Sequence, residues 1–134
     1  MKLGVSSYSF SKYISSEKCD YFKICDMAKE IGFDGIEFVD LNNFGMDVKD
    51  PLKLASEIKE YCNKIDLEII AYTVGANFID KDKEEEVMRL CKCVDIARKL
   101  GAKTLRHDIC WSLPKEKGYQ TYKDAVSEIS PYIR

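Results

Sequence analysis

Four polar side chains in this chain have both the type and the placement to do chemistry. Glu37 sits in Gly35-Ile36-Glu37-Phe38, a carboxylate alternating with apolar residues. Arg106, His107 and Asp108 close a second alternating run that begins at Lys103. His107 is the only histidine. Imidazole alone among unperturbed side chains titrates near neutrality, which makes His107 the natural acid/base or metal-ligand candidate. One histidine and Asp108 do not complete the three or four ligands of a catalytic divalent site. The aromatics Tyr8, Phe10, Tyr72 and Trp111, with Asn77, follow the ends of alternating segments, where they suit either a pocket wall or an apolar cap. The run Lys81-Asp82-Lys83-Glu84-Glu85-Glu86 reads as the solvated start of a helix, its acids placed at the positive helix end.

The elements that position these residues come from an internal repeat. Residues 28–37 (AKEIGFDGIE) and 97–106 (ARKLGAKTLR) each join a basic helix end to an aliphatic, a Gly and an alternating strand. Between them, Lys64-Ile65-Asp66-Leu67-Glu68-Ile69-Ile70 repeats the pattern with Asp in place of Gly. The landmarks Ile31, Ile65 and Leu100 are 34 and 35 residues apart, one strand-helix unit. Helical stripes run through Tyr21, Ile24, Cys25, Ala28 and Ile31; through Leu54, Ala55, Ile58, Cys62 and Ile65; and through Val87, Leu90, Cys91, Val94, Ala97 and Leu100. Asp20 and Asp50 are placed to cap the first two, with Pro51 at a first helical position. Gly32 and Gly101 stand where a left-handed helix end is wanted. Strands are expected at about 2–8, 34–39, 67–73 and 103–109. Ser130-Pro131 resembles the opening of another helix, after which the sequence stops at Arg134.

Alternating strands and helices imply parallel pairing, so the expected fold is α/β, a parallel (βα)4 unit over residues 1–134. A closed (βα)8 barrel takes about 250 residues, and four units make its front half. The competing open, flavodoxin-like sheet lacks support, because Gly4-Val5-Ser6-Ser7-Tyr8-Ser9 is no phosphate-binding glycine loop. A net charge of −2, from 21 basic and 23 acidic residues, leaves no basic footprint for nucleic acid or an anionic membrane. No apolar run reaches the roughly 20 residues of a membrane helix, and the start has no apolar signal core; a cytoplasmic protein is the expectation. The six cysteines contain no CxxC pair and read as reduced thiols, mostly small buried hydrophobes.

Alternation turns Ile36 and Phe38 toward the helices and Gly35 and Glu37 toward the barrel axis. It turns Leu105 toward the helices and Thr104, Arg106 and Asp108 inward, which brings Glu37 and Arg106 within pairing reach. An unpaired buried charge costs on the order of several kcal/mol, so each charge accounts for the other. Two readings of Glu37 stay open, a structural ion pair or a contact to a substrate hydroxyl. The same alternation points His107 at the helices, leaving a core or rim role open beside a functional one.

The strings KLGVSSYSF at the start, AKEIGFDGIEF at 28–38 and ARKLGAKTLRHDI at 97–109 resemble the xylose isomerase-like TIM barrels. These include sugar phosphate isomerases and epimerases, with endonuclease IV more distant. The resemblance runs through all 134 residues but covers only the family's first half. It implies aldose–ketose isomerisation or epimerisation by proton transfer beside a carbonyl, a divalent metal (Mn, Mg or Zn) and a sugar or sugar phosphate substrate. It favours a strand-two Glu, here Glu37, near the substrate, and a histidine near His107. Glu37 and His107 are thus the catalytic candidates, and Tyr8, Tyr72, Arg106, Asp108 and Trp111 the substrate-binding ones. Most metal ligands in the family come from strands five to eight, so no metal site is expected in this chain alone, nor isomerase activity. Two alternatives accompany this reading: a non-catalytic half-barrel that oligomerises through its sheet edges, and an endonuclease IV-like fragment, which the acidic balance disfavours. The expected partner is a second copy or the missing C-terminal half.

Overall fold

A computed structural model describes residues 1–17, 19–42, 48–111 and 122–132. Four strands, β1 (Gly4–Ser6), β2 (Gly35–Val39), β3 (Glu68–Val74) and β4 (Thr104–His107), form one parallel sheet in the order β1-β2-β3-β4. The helices are α1 (Ser11–Glu17), α2 (Tyr21–Ile31), α3 (Pro51–Lys64), α4 (Lys83–Leu100) and α5 (Tyr122–Ile129). The core lies between sheet and helices, where Ile24, Ile36, Phe38, Ile58, Val74 and Leu100 are all fully buried.

Local chemistry sets the helix ends, at Asp20, Asp50, Gly32 and Gly101 as the sequence predicts. The Asp20, Asp50 and Asp82 side chains accept the amides of Lys23, Lys53 and Glu85, capping α2, α3 and α4. All three helices then close in one way. The amides of Phe33, Leu67 and Ala102 reach back to the carbonyls of Ala28, Cys62 and Ala97 at 2.9–3.0 Å. The residue before each is left-handed, with φ of 103° at Gly32, 54° at Asp66 and 77° at Gly101. The repeat is therefore a repeat of this closure, and Asp66 adopts the glycine conformation despite its Cβ.

Several expectations are corrected. β1 ends at Ser6, because the chain enters a 3-10 turn (Ser7–Phe10) and then α1. The buried Ser7 hydroxyl accepts the Val39 amide at 2.9 Å, in the place a continuing strand would occupy. Ile31 is 63% exposed; Phe33, just past the cap, packs against the core in its stead. On α4 the buried stripe is Glu86, Leu90, Cys93, Ile96, Ala97 and Leu100, with Cys91 and Val94 outside. The helix lies against α3 as well as β3, and this favours the Cys93–Ile96 side. Ser130-Pro131 lies in a 3-10 turn (Ser130–Tyr132) that follows α5 directly, and residues 133 and 134 lie outside the described residues.

One irregularity decides which side chains face the barrel axis. Ile36 pairs with Ile69 but Glu37 pairs with Ala71, so Ile70 bulges out of β3. Its side chain lies across Gly4 and Gly35, where a Cβ on Gly35 would sit 2.8–2.9 Å from it. Beyond the bulge the faces of β3 exchange. Tyr72 and Val74 join the buried helix side, while Thr73 meets Glu37 on the other.

Candidate functional site

The strands' carboxyl ends carry the polar groups. Glu37 stands on the inner face of β2, half-buried, and accepts a short hydrogen bond from the Thr73 hydroxyl of β3. Arg106 does not reach it. Its side chain is 67% exposed, and the guanidinium bonds the Asp108 carboxylate at 3.0 Å, two residues along its own chain. The expected Glu37–Arg106 pair is thus corrected: β3 stands between β2 and β4, placing them about two strand spacings apart, roughly 10 Å. With its head in solvent, Arg106 needs no buried partner.

His107 is half-buried against Phe78, with ring centroids 6.1 Å apart, on the side that alternation assigns it. Its Nδ1 lies 2.8 Å from the Asp108 carbonyl. A carbonyl only accepts, so Nδ1 carries the proton and Nε2 remains for acid/base work. Glu37 and His107 therefore lie on opposite faces, and the described chain does not bring the two catalytic candidates together.

Tyr72 is corrected as a pocket residue. The bulge turns it into the core, fully buried, where its hydroxyl accepts the Leu41 amide at 3.0 Å and burial raises its pKa. Tyr8 and Trp111 stay at the rim, 66% and 69% exposed. The Trp111 indole lies against Gly75, where a Cβ would come within 3.3 Å of Nε1.

A network that sequence reasoning missed holds the loop between β3 and α4. Glu86, only 3% exposed, accepts the Asn77 amide at 3.0 Å and the Arg89 Nε and Nη2 at 2.9 Å each. Arg89 Nη2 also donates to the Gly75 carbonyl. The Asn77 side chain accepts the Ile79 and Asp80 amides and donates to Asp80. Phe78 N bonds Ile109 O at 2.9 Å, tying this loop to the one after β4. The Arg89 hydrogen bond holds Glu86 below the usual carboxylate range. Five of the six acids and bases in the run 81–86 are not fully buried, as expected, and Glu86 is the exception. Its spacing from Leu90, Cys93, Ala97 and Leu100 marks it as part of the buried stripe. Thr73 likewise carried no signal until the bulge was known.

Among the described residues, no three His, Cys, Asp or Glu side chains converge on a metal position. Glu37 is engaged by Thr73, Asp108 by Arg106, and His107 faces the other way. The donors among the described residues do not fit a divalent metal. Among the same residues no helix is long and apolar enough to cross a membrane.

Four parallel strands in sequential order, each of the first three leading to a helix, make an α/β sheet of the kind that forms the first half of a TIM barrel. The profile of the family described as xylose isomerase-like TIM barrel matches residues 25–134, and the chain belongs to that family. Among solved structures it is similar to the probable 3-DHS dehydratase AsbF, involved in petrobactin synthesis, from Bacillus anthracis. The TM-score is 0.68 at 16% identity, over 98% of this chain and 47% of the other, so the chain spans about half the length of that neighbour. No curated protein matches by sequence.

Proposed function

We propose that these residues form one half of an active site that removes a proton beside the carbonyl of a sugar or sugar phosphate, leading to isomerisation or epimerisation. The observation that supports this reading is Glu37, a carboxylate on the inner face near the carboxyl end of β2, oriented by the Thr73 hydroxyl. Barrel enzymes keep their chemistry at that end of the strands. In this reading Glu37 holds a substrate hydroxyl or takes the proton, Arg106 and Asp108 bind oxygens, and Tyr8 and Trp111 wall the mouth. His107 Nε2 supplies proton transfer at the rim if the loop after β4 turns toward substrate. The divalent metal implied by the family takes its ligands from outside these residues, and the partner is the second half of a barrel or another copy of the chain. The chain alone is inactive.

The dehydratase named among the solved structures favours a second reading, elimination of water from a β-hydroxy carbonyl compound. Both reactions begin with removal of the proton beside the carbonyl. The test is hydrogen exchange at that carbon, followed by proton NMR in D2O over a panel of ketoses, aldoses and β-hydroxy ketones. Residues 1–134 alone should give no exchange, so the assay uses them assembled with the partner half or second copy that completes the barrel. Exchange abolished by Glu37→Gln is expected; exchange indifferent to that change would overturn the assignment. Water loss after exchange would identify the second reading.

A further inference from the structure

The interface between α2 and α3 holds two thiols in contact. Cys25 and Cys62 are both fully buried, and their sulfurs lie 3.6 Å apart, sharing a hydrogen bond. The packing around them holds that distance. Tyr61 Oη donates to Asp26 Oδ1 at 2.6 Å, and the Phe22 and Tyr61 rings meet edge to face at 5.2 Å. These contacts come from residues adjacent to the cysteines in sequence or one helical turn away, so they fix the register in which the sulfurs meet. Disulfide bonds need sulfurs about 2 Å apart, so closure asks for an approach of about 1.5 Å. Side-chain rotation with a small helix shift supplies that.

We propose that Cys25 and Cys62 are a modification site, a dithiol that hydrogen peroxide oxidises to a disulfide stapling α2 to α3. The contact lets one thiol keep the shared proton while the other ionises, and either sulfur can take either part; in one of the two orders Cys62 is the thiolate. The Cys62 thiolate attacks one peroxide oxygen, forming a sulfenic acid and releasing hydroxide. That hydroxide takes the Cys25 proton as water. The Cys25 thiolate then attacks the sulfenic sulfur, the S–S bond forms, and the second hydroxide leaves, protonated by the proton that Cys62 gave up. Two thiols and one peroxide give one disulfide and two waters. The two sulfurs lose two electrons and the peroxide gains them. Because both thiols are enclosed, oxidation proceeds through brief opening of the interface. The linked residues are 37 apart and enclose β2, so the bridge constrains the unit that carries Glu37. The inference does not depend on what Glu37 does.

The experiment treats the reduced chain with hydrogen peroxide, removes the excess with catalase, and alkylates under denaturing conditions. It uses Cys91→Ser, because Cys91 is exposed and would consume oxidant or join two chains. Expected are a protein two hydrogens lighter, a cross-linked peptide pairing Cys25 with Cys62, and an unfolding midpoint raised by at least about 5 °C and restored by dithiothreitol. Cys62→Ser, if folded by circular dichroism, should lose the cross-link. Both cysteines fully alkylated after Cys110 has been oxidised would overturn the proposal, as would a link between any other two sulfurs. The peptide map needs no core substitution, so it decides the matter even where Cys62→Ser does not fold.

Discussion

Glu86→Ala removes the centre of the network that holds the loop between β3 and α4. The carboxylate is 3% exposed and accepts three hydrogen bonds, from Asn77 N and twice from Arg89. Breaking a buried charge pair by deleting one partner costs about 3–5 kcal/mol. Two features of the site lower that figure. The Arg89 side chain is 30% exposed, so water reaches the stranded guanidinium, and its bond to the Gly75 carbonyl survives. The Asn77 amide, left without a partner, restores part of the cost at about 1–3 kcal/mol. The expected loss is about 3 kcal/mol in urea unfolding at neutral pH. Arg89→Ala should cost a similar amount, since Glu86 is the more buried charge but keeps the Lys81 ammonium at 3.8 Å and the Asn77 amide. The double substitution should cost about 2 kcal/mol less than the sum of the singles. Trp111, the only tryptophan, lies on Gly75, so its fluorescence should shift in either variant. Acid supplies an independent check. The folded pKa of Glu86 is depressed, so its stabilisation is full above the unfolded carboxylate pKa and is lost as pH falls through the folded value. The difference between wild type and Glu86→Gln should therefore be constant above about pH 5 and shrink below about pH 4. Additive single effects, or a Glu86→Gln penalty that persists in acid, would refute the clamp.

Three further outcomes test the architecture. Asp66→Gly should stabilise by about 1 kcal/mol, read as a higher thermal midpoint, because the left-handed φ of 54° favours glycine; the Lys29 bond to the residue-66 carbonyl is kept, and no gain would mean the closure carries no strain. In double-mutant cycles Glu37 should couple to Thr73 and not to Arg106, with Glu37→Gln against Thr73→Val giving an interaction of about 1 kcal/mol; coupling to Arg106 instead would restore the pair the strand spacing forbids. Gly35→Ala should destabilise by about 2 kcal/mol, since the new methyl meets the Glu68 carbonyl and the Ile70 side chain at 2.8 Å; Ile70→Ala should recover only part, because the carbonyl cannot move aside, and complete recovery would show that Ile70 alone occupies the space.

What the sequence determined by itself is whatever closes within a few residues. Asp20 and Asp50 cap their helices through amides three positions on, and the Gly32, Asp66 and Gly101 closures use carbonyls four or five positions back. Both depend on backbone geometry that a single turn contains. Hence the repeat, the parallel strand-helix order and the family were legible, as was the inward direction of Glu37, two residues from Gly35. Tertiary structure alone decided the rest of the site. The Ile70 bulge arises from how β3 packs across Gly4 and Gly35 on other strands, and one extra residue reverses every later side chain of the strand. That reversal moved Tyr72 into the core and brought Thr73 between Glu37 and Arg106. Likewise, the charge of the run 81–86 reads as solvated, and only the helical spacing of Glu86 from Leu90 and Cys93 hints that this acid is buried. Glu86 is buried because Asn77 N and Arg89 converge on it from a loop and a helix turn that only the packed chain brings together.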